Sequence, residues 1–145
     1  MTKDRDRAAA VAIIFRDSVL LAKRSPRHEG KPVPYGGYWS ILGGMVEKGE
    51  APFKTASREA MEESQIEIPV HALKFVKSMA EKDLDFIFYV YEAPKLLTPV
   101  LNFEHTEYGW FNINKLDHFQ EDIDPKIVEC IYLYIRNRDK EIENL

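Results

Sequence analysis

Stretches of alternating and β-branched apolar residues divide the chain into short strands. Residues 11–15 and 19–22 have this character, and the polar turn between them, Arg16-Asp17-Ser18, predicts a β-hairpin. Further strands are predicted at residues 39–42, 73–79, 86–91 and 108–111, where β-branched and aromatic side chains are frequent. Residues 25–38 contain several prolines, glycines and charges, and this composition predicts an exposed loop.

Two segments have the spacing of helices. Pro52 is suited to the first turn of a helix that we expect to end at about Ser64, and Asp124-Pro125 is a favourable start for a last helix reaching about Arg138. The apolar or small residues predicted to face the sheet are Phe53, Ala56, Ala60 and Ser64 in the first helix, and Ile127, Ile131, Tyr134 and Ile135 in the second. Strands before, between and after two helices predict an α/β fold with a mixed sheet covered on both faces.

Length and composition favour one globular domain over residues 1–145. The chain is 45% hydrophobic, and its net charge of −4 argues against extended nucleic-acid binding, which needs a cationic surface. Cys130 is the single cysteine, which fits a reducing compartment. Residues 1–7 are too charged for a signal peptide, and no segment approaches the ~20 apolar residues that cross a bilayer. We therefore expect a cytoplasmic protein without membrane association.

The first helix carries a group of acids away from its apolar stripe. At about 100° per residue, Glu59, Glu62 and Glu63 fall within an arc of roughly 100°, so their carboxylates can converge. Like charges at this spacing are unfavourable, and a divalent cation with oxygen ligands, such as Mg²⁺, would relieve the repulsion. Helix periodicity alone fits a solvated acidic face equally well.

The spacing around these acids resembles the Nudix box. Residues 44–50, Gly-Met-Val-Glu-Lys-Gly-Glu, are followed after seven residues by Arg58-Glu-Ala-Met-Glu-Glu-Ser-Gln-Ile66. The family pattern is glycine, five residues, glutamate, seven residues, then Arg-Glu-hydrophobic-x-Glu-Glu-x-Gly-hydrophobic. Gln65 stands where the family has glycine, and Ala60 is a small choice for the hydrophobic position. We expect Gln65 to weaken the helix end, where glycine favours a left-handed conformation, rather than to alter the chemistry.

The resemblance implies a Nudix-type α/β/α sandwich and a metal-dependent hydrolase. By similarity to the family, Glu59, Glu62 and Glu63 would hold Mg²⁺, or Mn²⁺ in its place, with the backbone carbonyl of Gly43. Arg58 would orient the carboxylates, and Glu50 would be a partner of Arg58. The metal would neutralise a diphosphate and activate water for in-line attack.

The catalytic base is not decided by the box. Glu62 and Glu63 are candidates within it. A second pair lies in the segment Leu-Asn-Phe-Glu104-His-Thr-Glu107-Tyr-Gly-Trp, which resembles a family loop whose acid precedes a tryptophan-containing strand. Either acid could be the base or an additional metal ligand. Glu104 is favoured slightly over Glu107, and a surface position fits either acid equally well.

Substrate contacts are predicted in and beside the loop at residues 25–38. Arg24 lies where family members often have a phosphate-contacting arginine, although an exposed strand end also explains it. Arg27 could help to steer an anionic substrate. Tyr35 and Tyr38 are free to stack on a nucleobase, whereas Trp39 is expected in the core.

The expected function is hydrolysis of a diphosphate linkage in a nucleoside diphosphate joined to another moiety, such as a dinucleoside polyphosphate or ADP-ribose. Alternatives are a nucleoside triphosphate pyrophosphohydrolase, an RNA 5′-end pyrophosphohydrolase, and a non-catalytic nucleotide sensor. Retention of the three box acids favours catalysis over sensing. Homodimerisation, which is common in the family, is compatible with an apolar face on the last helix.

Overall fold

Nine strands and two α-helices follow one another along residues 5–143, the part of the chain that the computed structural model describes. Residues 1–4 and 144–145 of the expected single domain lie outside it. The elements are β1 Asp6–Phe15, β2 Ser18–Arg24, β3 Arg27–His28, β4 Lys31–Pro32, β5 Trp39–Ser40, β6 Leu42–Met45, α1 Pro52–Ser64, β7 Lys74–Glu81, β8 Leu84–Glu92, β9 His105–Asn112 and α2 Pro125–Glu143. No helix in this range has the length and apolar character needed to span a membrane.

Seven of the strands pair into one mixed sheet, as predicted, and β3 and β4 pair separately as a two-stranded sheet. The path of the mixed sheet runs β5-β2-β1-β8-β7, while β6 also pairs with β1 and β9 also pairs with β2. The pairing of β1 with β8 is parallel, and the other pairings in this sheet are antiparallel. Strand β1 is longer than the apolar run at residues 11–15 suggests, because it continues back to Asp6 along β6 and β8.

Two hydrophobic cores lie on opposite faces of this sheet. Ile127 and Ile131 of α2 pack with Leu21 and Phe88 on one face, and Ala56 and Ala60 of α1 pack with Val11 and Leu42 on the other. This arrangement confirms the α/β/α sandwich. Asp124 accepts a hydrogen bond from the backbone N–H of Lys126 (3.2 Å), as expected of a helix N-cap.

Strand β9 begins at His105 and α2 ends at Glu143, so both are longer than predicted, and further departures lie in α1 and in the loop at residues 25–38. Phe53 is 39% exposed, so the buried stripe of α1 consists of smaller residues that allow close approach to the sheet. Residues 25–38 contain the β3–β4 hairpin, whose turn residues Glu29 and Gly30 both have positive φ (51° and 78°). Positive φ at both turn positions is typical of a tight two-residue hairpin turn.

Helix α1 ends against the connection between β8 and β9. Gln65 adopts a left-handed conformation (φ 59°, ψ 20°), and its N–H donates to the Met61 carbonyl (2.9 Å). The Val100 N–H donates to the Ser64 carbonyl (2.8 Å), and the Asn102 side-chain amide donates to the Glu62 carbonyl (3.1 Å). Carbonyls that a helix end leaves unpaired are thus satisfied by the connection that carries Glu104.

Candidate metal and substrate site

The glycine pair Gly43-Gly44 within β6 allows close approach both of the neighbouring strand β1 and of Glu59 on the acidic helix. A Cβ atom at Gly43 would lie 2.6 Å from the Ala10 Cβ, and one at Gly44 would lie 2.5 Å from Glu59 Oε1. Any side chain at Gly44 would therefore displace the Glu59 carboxylate. The box glycine is required by this close approach rather than by a positive φ, since Gly44 has none.

Three carboxylates converge beside these glycines. One oxygen from each of Glu59, Glu63 and Glu104 lies within 4.8 Å of the other two, a separation that a single cation could bridge. The Glu63 side chain is 1% exposed, and its Oε1 accepts a hydrogen bond from the Gly43 N–H (3.4 Å). Glu63 Oε2 is buried and has no hydrogen-bond partner among the described residues.

This charge arrangement is unfavourable without a counter-ion. Burial, together with the neighbouring Glu59 and Glu104, raises the pKa of Glu63 to about 10. Burial and the charge of Glu59 also raise the pKa of Glu104. Since no N–H or O–H of the described residues reaches Glu63 Oε2, either a shared proton or a cation must lie between these carboxylates. A hard divalent cation fits this all-oxygen donor set.

Arg58 holds the outer side of the acidic group. Its Nε and Nη2 form a two-pronged contact with the Glu50 carboxylate (2.7 and 3.0 Å), and its Nη1 donates to Glu59 Oε1 (3.0 Å) and Glu62 Oε1 (3.2 Å). The hydrogen bond from Arg58 lowers the pKa of Glu50 to about 2, with Thr55 contributing a second one. Arg58 thus links Glu50 to the helix acids Glu59 and Glu62.

Glu62 is not part of the group of three carboxylates. Its side chain is 50% exposed and pairs with Arg58 one helical turn earlier. The third carboxylate beside Glu59 and Glu63 is instead that of Glu104.

The two loop acids are separated by the structure. Glu104 lines the cleft beside Glu63, and its N–H donates to the Asn102 side chain (2.9 Å). Glu107 lies on β9 with a 58% exposed side chain, and its nearest charged partner is Lys23 (3.9 Å). Only Glu104 therefore joins the acidic group.

His105 is a buried neighbour of the acids for which sequence position alone gives no role. Its Nε2 lies 3.9 Å from Glu63 Oε1, and its Nδ1 has no hydrogen-bond partner among the described residues. Burial, with a smaller effect of Arg24, lowers the pKa of His105 to about 4, so the ring is neutral at pH 7. His105 begins β9 and pairs in register with Arg24. The signal in the sequence is its position between Glu104 and Glu107.

A cleft of about 390 Å³ opens onto this group. Arg24, Arg27, His28 and Phe103 line it together with Gly43, Glu63, Glu104 and His105. Tyr35 and Tyr38 are not among its lining residues and instead contact each other edge to face (5.4 Å between ring centres). Trp39 is buried in the core, as predicted, and its Nε1 donates to Glu121 (3.1 Å).

The chain belongs to the NUDIX family, because residues 5–134 match the family model of the NUDIX domain. This range includes the whole box and the loop with Glu104. Membership supports the predicted enzyme class, a hydrolase acting on a pyrophosphate bond.

Solved structures share the fold at low sequence identity. The MutT protein from Methanosarcina mazei Go1 has a TM-score of 0.74 and 20% identity, with 95% of this chain and 98% of that chain covered. The NUDIX domain of Shewanella oneidensis NrtR, solved in complex with ADP ribose, has a TM-score of 0.74 and 14% identity, with 94% and 90% covered.

A curated relative is 27% identical over 101 residues and is named octanoyltransferase, from Myxococcus xanthus. The match covers 66% of this chain and spans only about a quarter (26%) of the length of that relative. The name of the longer protein therefore assigns no activity to this chain.

Proposed function

We propose that this protein catalyses Mg²⁺-dependent hydrolysis of a diphosphate linkage in a nucleoside diphosphate joined to another moiety. The observation that carries the proposal is Glu63 Oε2, which has no hydrogen-bond partner among the described residues and lies among three converging carboxylates at a cleft that arginines also line. Acids that hold a cation and arginines that bind phosphate are the two requirements of such a reaction.

The cation would be held by Glu59, Glu63 and Glu104, with the Gly43 carbonyl and Glu62 as the further ligands implied by family resemblance. When bound, it supplies charge neutralisation for the diphosphate and lowers the pKa of the attacking water. Mn²⁺ offers the same preference for oxygen ligands and should substitute.

The surrounding side chains have distinct tasks in this proposal. Arg24 and Arg27, which line the cleft, bind the phosphates of the substrate. Arg58 keeps the Glu59 carboxylate oriented towards the group. As the water oxygen bonds to phosphorus and the bridging P–O bond breaks, the proton of the water passes to a carboxylate. Glu104 is our candidate for this acceptor, as the alternative to its role as a ligand of the cation, because it lines the cleft.

The size and lining of the cleft support the proposed substrate class. Its volume of about 390 Å³ lies within the range of small-molecule sites, and its aromatic and cationic lining suits a nucleotide with a second group attached. ADP ribose, present in the structure of the NrtR domain, is a nucleotide with a second group attached. Dinucleoside polyphosphates have the same character.

The test is product analysis on a substrate panel. The protein is incubated with Mg²⁺ or Mn²⁺ and ADP-ribose, dinucleoside polyphosphates, nucleoside triphosphates or 5′-triphosphorylated RNA, and the products are identified by mass. We expect cleavage of the first two classes, with a loss of about 100-fold or more in Glu63→Gln. Glu67→Gln, an exposed acid beyond the helix, is the matched control and should retain turnover.

Other outcomes distinguish the alternatives. Turnover confined to triphosphates or RNA ends would contradict the proposed substrate class but would still support hydrolysis of a diphosphate linkage. Tight binding of one member without turnover of any would contradict catalysis and favour a nucleotide sensor.

A further inference from the structure

Two aromatic rings stack on each other at the mouth of the cleft. The His28 and Phe103 ring centres are 5.0 Å apart with an angle of 26° between the ring planes. Both residues line the cleft, and Phe103 directly precedes Glu104. We call them the stacked pair. A stacked arrangement of this kind is one that aromatic rings favour.

The backbone on both sides of the stacked pair is well anchored. His28 ends strand β3, one residue before the tight turn of the β3–β4 hairpin. On the other side, the Ser25 hydroxyl donates to the Phe103 carbonyl (2.7 Å), and the Ser25 N–H donates to the Glu104 carbonyl (2.9 Å). The same residue therefore ties the loop carrying Phe103 to the strand end that carries Arg24.

Phe103 is also unusually exposed for its residue type. It is 67% exposed although one face packs on His28, so much of the ring is open to solvent. Arg24 and Arg27 line the same cleft as this ring and provide a cationic setting suited to an anionic group. A ligand that places phosphates at the arginines and a flat ring on Phe103 would match both features.

We propose that the stacked pair is the platform for the nucleobase of the substrate, with the base lying on Phe103 and extending the stack begun by His28. This inference rests on the proposed function, since the phosphates must occupy the arginine-lined cleft. It transfers base recognition from Tyr35 and Tyr38 to Phe103 and His28. Stacking on a ring tolerates different bases, so the platform selects nucleotides over other diphosphates more than one base over another.

The test compares two diphosphate analogues that resist hydrolysis and differ only in the nucleoside. Affinities of α,β-methylene-ADP and methylenediphosphonate are measured by calorimetry with Mg²⁺ present. We expect Phe103→Ala to weaken binding of the nucleotide by about tenfold, equivalent to about 1.4 kcal/mol, and to leave the diphosphonate unchanged. Phe103→Tyr, which keeps the ring, should retain the affinity, and His28→Ala should lie between the two.

Phe75→Ala is the matched control. Phe75 is similarly exposed (62%) but lies on β7, outside the cleft lining, so its loss should change neither affinity. If Phe103→Ala weakens both analogues equally, or neither, the platform is wrong. If the parent protein binds the diphosphonate as tightly as the nucleotide, the platform is wrong while the diphosphate site stands. Binding of neither analogue would overturn the platform together with the proposed function.

Discussion

At the scale of single residues, Glu104 and Glu107 are close in sequence but differ in their surroundings. Glu104 is half-buried next to Glu59 and Glu63, whereas Glu107 is exposed and faces Lys23. We expect Glu104→Ala to lower kcat by about 100-fold or more, because the acidic group loses a ligand or a base. Glu107→Ala should change kcat by less than about threefold.

The measurement is steady-state kinetics on the best substrate of the panel, with nucleotide affinity determined separately. Retained affinity with lost kcat in Glu104→Ala would identify the proton acceptor, and a parallel loss of cation affinity would identify a ligand. Equal activity of both variants and the parent would contradict a role for either acid.

Gln65 adopts the left-handed conformation that we expect of the family glycine in its place. Its φ of 59° is unfavourable for a residue with a Cβ, by about 1 kcal/mol relative to glycine. Gln65→Gly should therefore raise the free energy of unfolding by about 1 kcal/mol, or the melting midpoint by about 3 °C, with little change in kcat.

The comparison variant is Glu67→Gly, at an exposed residue that lacks a positive φ and should gain no stability. A tenfold rise in activity of Gln65→Gly without a change in midpoint would refute this explanation of the glutamine.

At the scale of elements, the end of α1 and the β8–β9 connection form one unit through Asn102. Its side-chain N–H donates to the Glu62 carbonyl (3.1 Å), and its Oδ1 accepts from the Glu104 N–H (2.9 Å). We expect Asn102→Ala to cost about 1–2 kcal/mol of stability and to lower kcat by about tenfold, because Glu104 loses its anchor.

Asn112→Ala provides a matched control. The Asn112 side chain accepts a hydrogen bond from the Asn114 N–H (2.8 Å), with the same spacing along the chain but beyond the cleft. Denaturant unfolding and kinetics should show a comparable loss of stability and no loss of turnover. Equal kinetic effects of the two substitutions would show that Asn102 acts through stability alone.

The same unit shows what local sequence patterns can and cannot predict. The bounds of α1 follow from Pro52 and the spacing of Ala56 and Ala60, which are local properties. Helix periodicity treats Glu62 and Glu63 alike, but tertiary packing separates them. Glu63 faces the sheet, while Glu62 pairs with Arg58.

The approach of Glu104 depends on contacts between residues far apart in sequence, which periodicity does not encode. Its loop reaches α1 through the Asn102 and Val100 hydrogen bonds to carbonyls that any helix end leaves free. The aromatic platform was likewise missed, because His28 and Phe103 meet only once β2 and β9 have paired. Residue type could not distinguish these rings from Tyr35 and Tyr38.

At the scale of the whole molecule, Glu92 joins the sheet to α2. It accepts hydrogen bonds from the Tyr134 hydroxyl (2.5 Å), Lys74 (2.9 Å) and Arg138 (3.1 Å). Burial alone would raise the pKa of Glu92, but these hydrogen bonds outweigh it and lower the pKa from its ordinary value of 4.5. A lowered pKa in the folded state contributes stability above pH 4.5, and this contribution is lost as the pH falls through the folded-state pKa.

We therefore expect Glu92→Gln to cost about 1 kcal/mol at pH 7, with the difference from the parent shrinking as the pH falls below about 4.5. Urea unfolding of both proteins at several pH values measures this difference in the free energy of unfolding. The matched control is Glu129→Gln. Glu129 is more exposed than Glu92 and lies 3.6 Å from Lys77, so this substitution should hardly change the free energy of unfolding. A difference for Glu92→Gln that stays constant with pH would argue against the charged contacts as its source.

The acidic group couples the whole fold to its proposed cation, because its members come from α1 and from the β8–β9 connection. Mg²⁺ or Mn²⁺ at about 100 times its Kd should raise the free energy of unfolding by about 2.7 kcal/mol, and EDTA should reverse the gain. Without a cation, Glu63→Gln should be more stable than the parent near pH 8, since it removes a buried carboxylate whose Oε2 has no partner within residues 5–143.

The same variant should gain little from added cation, whereas Glu67→Gln should respond as the parent does. Thermal unfolding of the three proteins with and without metal therefore separates a cation site from a general salt effect, which would stabilise all three equally. Absence of any metal-dependent shift in the parent would contradict the site independently of substrate choice.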